Sequence, residues 1–333
     1  MSDGYYLLLD IGGTKTTGAV FQSDGTPVKD VFYTAPSATY EGENAVFENT
    51  VAVGKKTLQL TDISQNDVCG IGVAAPGPLD YRTGYIIDVP MMGWKDFPLG
   101  QRLSDVFHVP VRIENDGNLG AYAEAHVGVA KGERVVLYMT VSTGCGGGIA
   151  MDGEIYRGRY GNAGEFGHVS IDLNGPPCGC GSNGCLELYA SGTAINRRMR
   201  LDAKKGIRSR IFDAAGADIS AIDGKLLGKA AEEGDSYAHS VLQEEGRYLG
   251  AGLAGFFNMF DPDVIVLGGG VTKSAKWFRE EMMREINRRS MRPVEDSRVR
   301  FSELNDRVTI YGAYLLIKDY MEHLPEHVCP EVA

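Results

Sequence analysis

The 333-residue sequence contains no apolar run that reaches the roughly 20 residues a membrane-spanning helix needs. It also lacks a long linker and any low-complexity segment. Its first residues, Met1-Ser2-Asp3-Gly4, carry no basic n-region and lead straight into an apolar run, so no secretory signal is expected. Positive charge is in deficit: 33 Lys and Arg stand against 44 Asp and Glu, a net charge of −11. That balance argues against a nucleic-acid surface. Cys69, Cys145 and Cys329 lie far apart, as ordinary thiols of a reducing compartment do. A cytoplasmic protein that binds neither nucleic acid nor membrane is the expectation. The rest is ordinary for a globular protein, with 43% hydrophobic and 23% charged residues and length enough for two modest domains.

The other three cysteines are concentrated. Cys178-Gly-Cys180-Gly-Ser-Asn-Gly-Cys185 follows His168 by ten residues. Thiolate and imidazole together suit tetrahedral Zn²⁺, and a Cys₃His set leaves no open position, which points to a structural ion. The intervening glycines let the chain double back so that close-spaced sulfurs reach one metal. Glu165 precedes His168 by three residues and Glu187 follows Cys185 by two. A metal knot there would fix two carboxylates and an imidazole edge as a rigid polar site. The competing reading is a loop with reduced thiols.

Along the chain, Tyr5 to Leu9, Thr16 to Phe21 and Val28 to Tyr33 read as strands separated by glycine-containing turns. Glu43 to Leu60 has helical spacing, Val68 to Ala74 is strand-like, and Pro76-Gly77-Pro78 breaks the chain. Leu99 to Phe107 reads as a helix, Val111 to Glu114 as a strand and Leu119 to His126 as an Ala-rich helix. A second run of strand, glycine-rich turn, strand, turn, strand covers Val135 to Arg157. The repeated layout suggests a duplicated α/β fold with a cleft between its halves. Helices are expected over Leu186 to Leu201, Leu226 to Glu233, Ser236 to Phe260, Lys273 to Arg289 and Ala313 to Met321, with strands at Val264 to Leu267 and Val299 to Phe301.

Three glycine-rich turns lie at strand ends. The first, Asp10-Ile-Gly12-Gly13-Thr14-Lys15, offers backbone N–H groups, a hydroxyl and a positive charge to an oxyanion, and Asp10 a carboxylate for Mg²⁺. It is not a Gly-x4-Gly-Lys-Ser/Thr loop, and a plain β-turn is the alternative. The second, Ser142-Thr143-Gly144-Cys145-Gly146-Gly147-Gly148, repeats the chemistry. The third, Gly268-Gly269-Gly270, follows a strand and precedes a helix, as a loop passing a nucleotide's adenosine would. Asp116, at a bend between Asn115 and Asn118, can accept a hydroxyl proton during attack on a γ-phosphoryl group, with the Asn115 amide orienting the acceptor. The alternative for Asp116 is a helix N-cap. Cys145 as a nucleophile is the competing chemistry; it would need a partnered His, and His168 is better used on the metal.

Asp10-Ile-Gly-Gly-Thr-Lys15, Glu114-Asn-Asp-Gly-Asn118, Gly164-Glu-Phe-Gly-His168, Cys178 to Glu187 and Leu267-Gly-Gly-Gly270 together resemble the ROK family (repressors, open reading frames, kinases) of the actin and hexokinase-like ATPase superfamily. The resemblance spans nearly the whole chain. It implies a two-lobed, duplicated ribonuclease H-like α/β fold, with a small lobe of residues 1–115 plus 312–333 and a large lobe of 116–311 holding a zinc segment at 165–187. It implies ATP- and Mg²⁺-dependent phosphorylation of a hexose 6-hydroxyl, with Asp116 as general base. Gly77, Asn115, Glu165, His168 and Glu187 would face the sugar, and His168, Cys178, Cys180 and Cys185 would hold the zinc. Asp10, Gly12, Gly13, Thr14, Lys15, Thr143, Gly144 and Gly146 would serve ATP phosphates and Mg²⁺, and Gly268, Gly269 and Gly270 would lie near adenosine. Met92-Gly-Trp94-Lys-Asp-Phe-Pro98 resembles glucokinases of the family, which puts glucose first among substrates, ahead of N-acetylglucosamine, N-acetylmannosamine, fructose or mannose. A homo-oligomer, dimer or tetramer, is the family expectation. Repressors of the family carry a DNA-binding segment ahead of the first strand, for which Tyr5 leaves no room; a non-catalytic sugar sensor is the reading from another class.

Overall fold

The computed structural model describes residues 4–323. They form two compact units, one of residues 4–123, 155–163 and 306–323, the other of 124–154 and 164–305. The sequence placed the divisions at 115/116 and 311/312; the chain instead changes unit inside a helix, after 123, and again ahead of 306. The excursion 155–163, which returns to the first unit, had no signature in the sequence. Cys329 and the part of the expected small lobe beyond 323 lie outside the described residues.

The first unit is built on β1 (Tyr5–Ile11), β2 (Lys15–Gln22), β3 (Pro27–Pro36), β4 (Val68–Ala75) and β8 (Val111–Asn115), in the order β3-β2-β1-β4-β8. The first three pair antiparallel, while β4 lies parallel to β1 and β8 parallel to β4. Helix α1 (Glu43–Thr61) buries Val46, Val53 and Leu58, the helical spacing visible in the sequence. Helix α10 (Val308–Glu322) buries Ile310, Ala313 and Ile317. It approaches β4 so closely that a Cβ on Gly72 would stand 2.1 Å from the Ala313 carbonyl oxygen, so that position must be glycine. A small antiparallel sheet, β5 (Leu79–Asp80), β6 (Tyr85–Val89) and β7 (Trp94–Phe97), precedes α2 (Leu99–Phe107). Trp94 is fully buried, stacks on Phe97 at 4.8 Å and donates Nε1–H to the Glu43 carbonyl. The segment read as glucokinase-like therefore contributes Met92 and Trp94 to the core.

Helix α3 (Asp116–His126) carries the chain into the second unit. There lie β9 (Val135–Val141), β10 (Cys145–Met151), β12 (Val264–Gly268) and β13 (Val299–Phe301); with β11 (Glu154–Ile155), at whose second residue the chain leaves this unit, the order is β11-β10-β9-β12-β13. Again the central pair, β9 and β10, runs antiparallel, and β12 lies parallel to β9 and β13 parallel to β12. The same order in both sheets is the duplication that the sequence layout suggested. Helices α4 (Glu187–Ala190), α5 (Gly192–Lys204), α6 (Arg210–Ala215), α7 (Gly224–Glu232), α8 (Ser236–Phe260) and α9 (Arg279–Arg289) complete the unit. One helix was expected over Leu186 to Leu201; Ser191 adopts an extended ψ of 157° and caps a new helix through the Ala194 N–H, so two form. Among the described residues no helix is long and apolar enough to cross a membrane.

Candidate active site

In the first unit, β1 delivers Asp10 beside a four-residue turn. The Gly12 N–H donates to the Lys15 carbonyl at 3.0 Å, so this donor closes the turn and is not offered to a phosphate. The carbonyls of Gly12 and Gly13 are held from behind by the hydroxyls of Ser37 and Thr39, at 2.6 and 3.1 Å. Lys15 Nζ stands 3.7 Å from Asp306. Asp10 accepts a hydrogen bond from Thr309 Oγ1 at 2.8 Å. Burial pushes its carboxyl up to about 6; the Thr309 bond offsets part of this, and the nearby charge of Asp116 adds to it. A carboxyl so placed gains from a cation, which fits a Mg²⁺ ligand.

Asn115 ends β8 and Asp116 begins α3. Asn115 Oδ1 accepts from the backbone N–H groups of Gly117 and Asn118, at 2.9 and 3.2 Å. Capping thus falls to Asn115, and the N-cap alternative for Asp116 does not describe the junction. Asp116 Oδ1 accepts from Gly117 N–H at 2.8 Å. A Cβ on Gly77 would lie 3.3 Å from Asn115 Nδ2, so the Pro-Gly turn and the Asn115 amide face one another. Two residues given no role from the sequence complete the junction. Glu114, 2% exposed, accepts from the Asn115 N–H at 2.9 Å and from Asn118 Nδ2 at 3.0 Å. Arg157 Nε donates to its other oxygen at 2.6 Å. A lone acid in the strand Val111-Arg-Ile-Glu-Asn was the available signal for Glu114; nothing local marked Arg157.

In the second unit the expected loop over 142–148 is shorter. Residues 145–151 pair one for one with 135–141, leaving Ser142 to Gly144 as the turn and placing Gly146 inside β10. At Gly144 an added Cβ would sit 2.5 Å from Glu187 Oε2, and that oxygen accepts the Cys145 N–H at 2.8 Å. Glycine at 144 therefore admits the Glu187 carboxylate to the turn. Gly192 and Thr193, opening α5, donate to the carbonyls of Ser142 and Thr143, at 2.7 and 3.3 Å. Cys145 is buried, and burial, with the charges of Glu245 and Glu187 adding, drives its thiol well above the usual range. A protonated, buried thiol is a poor nucleophile, which sets that chemistry aside.

A cavity of about 650 Å³ opens between the turn (Ser142, Thr143), the start of α5 (Asn196), the start of α7 (Gly224) and the segment from Gly270 to Trp277. That volume suits a nucleotide-sized ligand. Of the third glycine run only Gly270 reaches the cavity. Gly268 lies in β12 against Tyr138, and Gly269, with φ of 91°, packs on the Val141 carbonyl. Lys225, Lys229 and Lys273 also line it, none of which the sequence singled out.

His168, Cys178, Cys180 and Cys185 bring one donor atom each within 4.8 Å of one another. His168 Nδ1 lies 3.6 Å from Cys178 Sγ, and Cys180 Sγ 3.6 Å from Cys185 Sγ. Ligands about 2.3 Å (sulfur) and 2.0 Å (nitrogen) from a tetrahedral Zn²⁺ stand about 3.5–3.8 Å apart, so the donor set fits the ion. Because Nδ1 faces the sulfurs, the Nε2 edge of His168 is left for another partner. Glu165, three residues earlier, is exposed.

The ROK family model matches residues 6–320. The chain is 32% identical over 323 residues to the glucokinase of Halalkalibacterium halodurans, with 96% of each chain covered. It is 31% identical over 287 residues to the xylose repressor of Bacillus spizizenii, covering 86% of this chain and 69% of the repressor. Among solved structures, a ROK family glucokinase from Streptomyces griseus in complex with glucose and AMPPNP matches with a TM-score of 0.82 at 29% identity, covering 94% of this chain and 99% of that one.

Proposed function

The chain belongs to the ROK family, and on that premise we propose that it is an ATP-dependent kinase that transfers the γ-phosphoryl group to the 6-hydroxyl of a hexose, glucose first. The observation that carries the reading is the β8–α3 junction. Asn115 takes over the capping, and Asp116 stands as a carboxylate beside Asp10, the acid best suited to Mg²⁺. Asp116 removes the proton from the sugar hydroxyl as its oxygen attacks phosphorus. Asn115 and Gly77 shape the pocket around the acceptor. Glu165, Glu187 and the free edge of His168 are assigned to sugar hydroxyls.

ATP is assigned to the 650 Å³ cavity, with Thr143 and Gly144 at the phosphate end and Gly270 beside the nucleoside. Asp10 and the Thr14-Lys15 turn are assigned to the terminal phosphates and to Mg²⁺, which when bound would neutralise charge that develops on the transferring group. Zn²⁺ on His168, Cys178, Cys180 and Cys185 is structural: all four positions come from the protein, so it orients His168 and ties down the segment leading to Glu187. Glucose rests on the likeness to the Halalkalibacterium halodurans enzyme; N-acetylhexosamines, fructose and mannose remain the alternatives. Likeness to a xylose repressor favours, as a second reading, a protein that senses sugar without turnover. A coupled ADP-release assay over a panel of hexoses and N-acetylhexosamines, with zinc measured in the purified protein, separates these. ADP release with glucose supports the proposal, and sugar binding with no ADP release supports the sensor.

A further inference from the structure

Resting on the kinase reading, we propose that Arg157 is a positioning residue for the reaction, acting through Glu114 on the turn that carries Asn115 and Asp116. Three observations in the first unit carry this. Glu114 is a buried carboxylate whose two oxygens are divided between tasks. Oε1 accepts from the Asn115 N–H and the Asn118 amide, and Oε2 accepts from Arg157. Among the described residues Arg157 is its only ion-pair partner. Arg157 itself is fixed, with its guanidinium 4.2 Å over the Tyr81 ring and a further bond to the Ile155 carbonyl at 3.4 Å.

The consequence follows from elementary electrostatics. A buried carboxylate deprived of its charge partner is costly, and the cost is relieved by turning toward water or taking up a proton. Turning withdraws Oε1 from Asn115 and Asn118, and a neutral carboxyl accepts from them more weakly than the carboxylate does. Asn115 in turn caps α3 through Gly117 and Asn118, so the slack passes directly to the residue between them, Asp116. A general base must hold its distance to the acceptor proton closely, and misplacement of about 1 Å can cost about a hundredfold in rate. Arg157 comes from the excursion 155–163, far in sequence from β8, which explains why a residue with no part in any recognisable motif is tied to the junction.

The test compares Arg157→Ala, Arg157→Gln, Arg157→Lys and Arg159→Ala. The glutamine variant keeps the stem over Tyr81 and loses only the charge, so it stands in should alanine fail to fold. Arg159 is an exposed neighbour and serves as the control. Two readouts are taken: amide hydrogen exchange over residues 114–119, and kcat and KM for the sugar the wild type prefers. Expected for the alanine and glutamine variants is faster exchange at Asn115, Gly117 and Asn118 by at least about tenfold. Their kcat should fall by about tenfold or more while the sugar KM stays within about threefold. Lysine should recover part of both effects, and Arg159→Ala should match wild type. Unchanged exchange in the alanine and glutamine variants, a change in KM alone, or no recovery by lysine overturns the inference. A wild type that turns over no sugar defeats the kinase reading instead, and the exchange arm, which needs no turnover, still decides whether Arg157 holds the turn.

Discussion

Replacing Gly144 by alanine tests the link between the second glycine turn and Glu187. The new methyl carbon would lie 2.5 Å from Glu187 Oε2, whereas ordinary contact begins at 3.4 Å, so the carboxylate must retreat by about 1 Å. Retreat by that much breaks the 2.8 Å bond from the Cys145 N–H. Hydrogen bonds to charged groups contribute about 1.5–3 kcal/mol, and Glu187 is only half-buried, so about 1–2 kcal/mol of stability should be lost. If Glu187 also binds a sugar hydroxyl, the sugar KM should rise by about tenfold, the equivalent of about 1.4 kcal/mol. Gly146→Ala is the internal control: two residues on and inside β10, its methyl would meet only Thr140 Cγ2, at 3.5 Å. Urea unfolding and sugar titration of both variants give the answer. Equal stability and equal KM for the two would refute the argument that Glu187 is seated against the turn.

Cys180→Ser, or dialysis against a strong chelator, should lower stability and raise the sugar KM together if, as proposed, a metal on this cluster orients His168 and the approach to Glu187. Normal sugar affinity in folded, zinc-free protein would count against it. Asp10 yields a pH prediction. Its folded pKa of about 6 exceeds the ordinary aspartate value of 3.8, so the folded form retains a proton the unfolded chain gives up. The stability this contributes is fully present below pH 3.8 and is lost as pH rises through 6, at most about 3 kcal/mol. Asp10→Asn, which mimics the neutral form, should therefore gain on wild type in melting temperature as pH rises from about 4 to 6.5 in the absence of Mg²⁺. A constant difference across that range would show that Asp10 does not titrate there.

How much of this was legible in the sequence differs by element. Strands β1, β9 and β12 and helices α2 and α8 announced themselves because apolar periodicity and turn residues agreed at both ends. The small sheet β5-β6-β7 did not: its strands are two to five residues long, too short for a period to register. The glycine run at 142–148 misled for a physical reason. Glycine signals freedom to turn, yet Gly147 is buried where a Cβ would meet Phe166 at 2.4 Å, so the residue type answers to crowding inside the sheet rather than to a loop. The clustering of His168, Cys178, Cys180 and Cys185 was legible because the four residues sit close in sequence. Asn115 and Asp116 were legible as a pair, but which of them caps α3 is decided by side-chain geometry. Arg157 was invisible because its partner, Glu114, lies 43 residues away.

The claim at the centre is that Asp116 takes the proton from the sugar hydroxyl. Asp116→Asn, assayed for sugar affinity by calorimetry and for ADP release on the same preparation, addresses it directly. Affinity within about threefold of wild type and turnover reduced by at least about a hundredfold is the predicted pair. Turnover near the wild-type rate would contradict the assignment and move the base elsewhere.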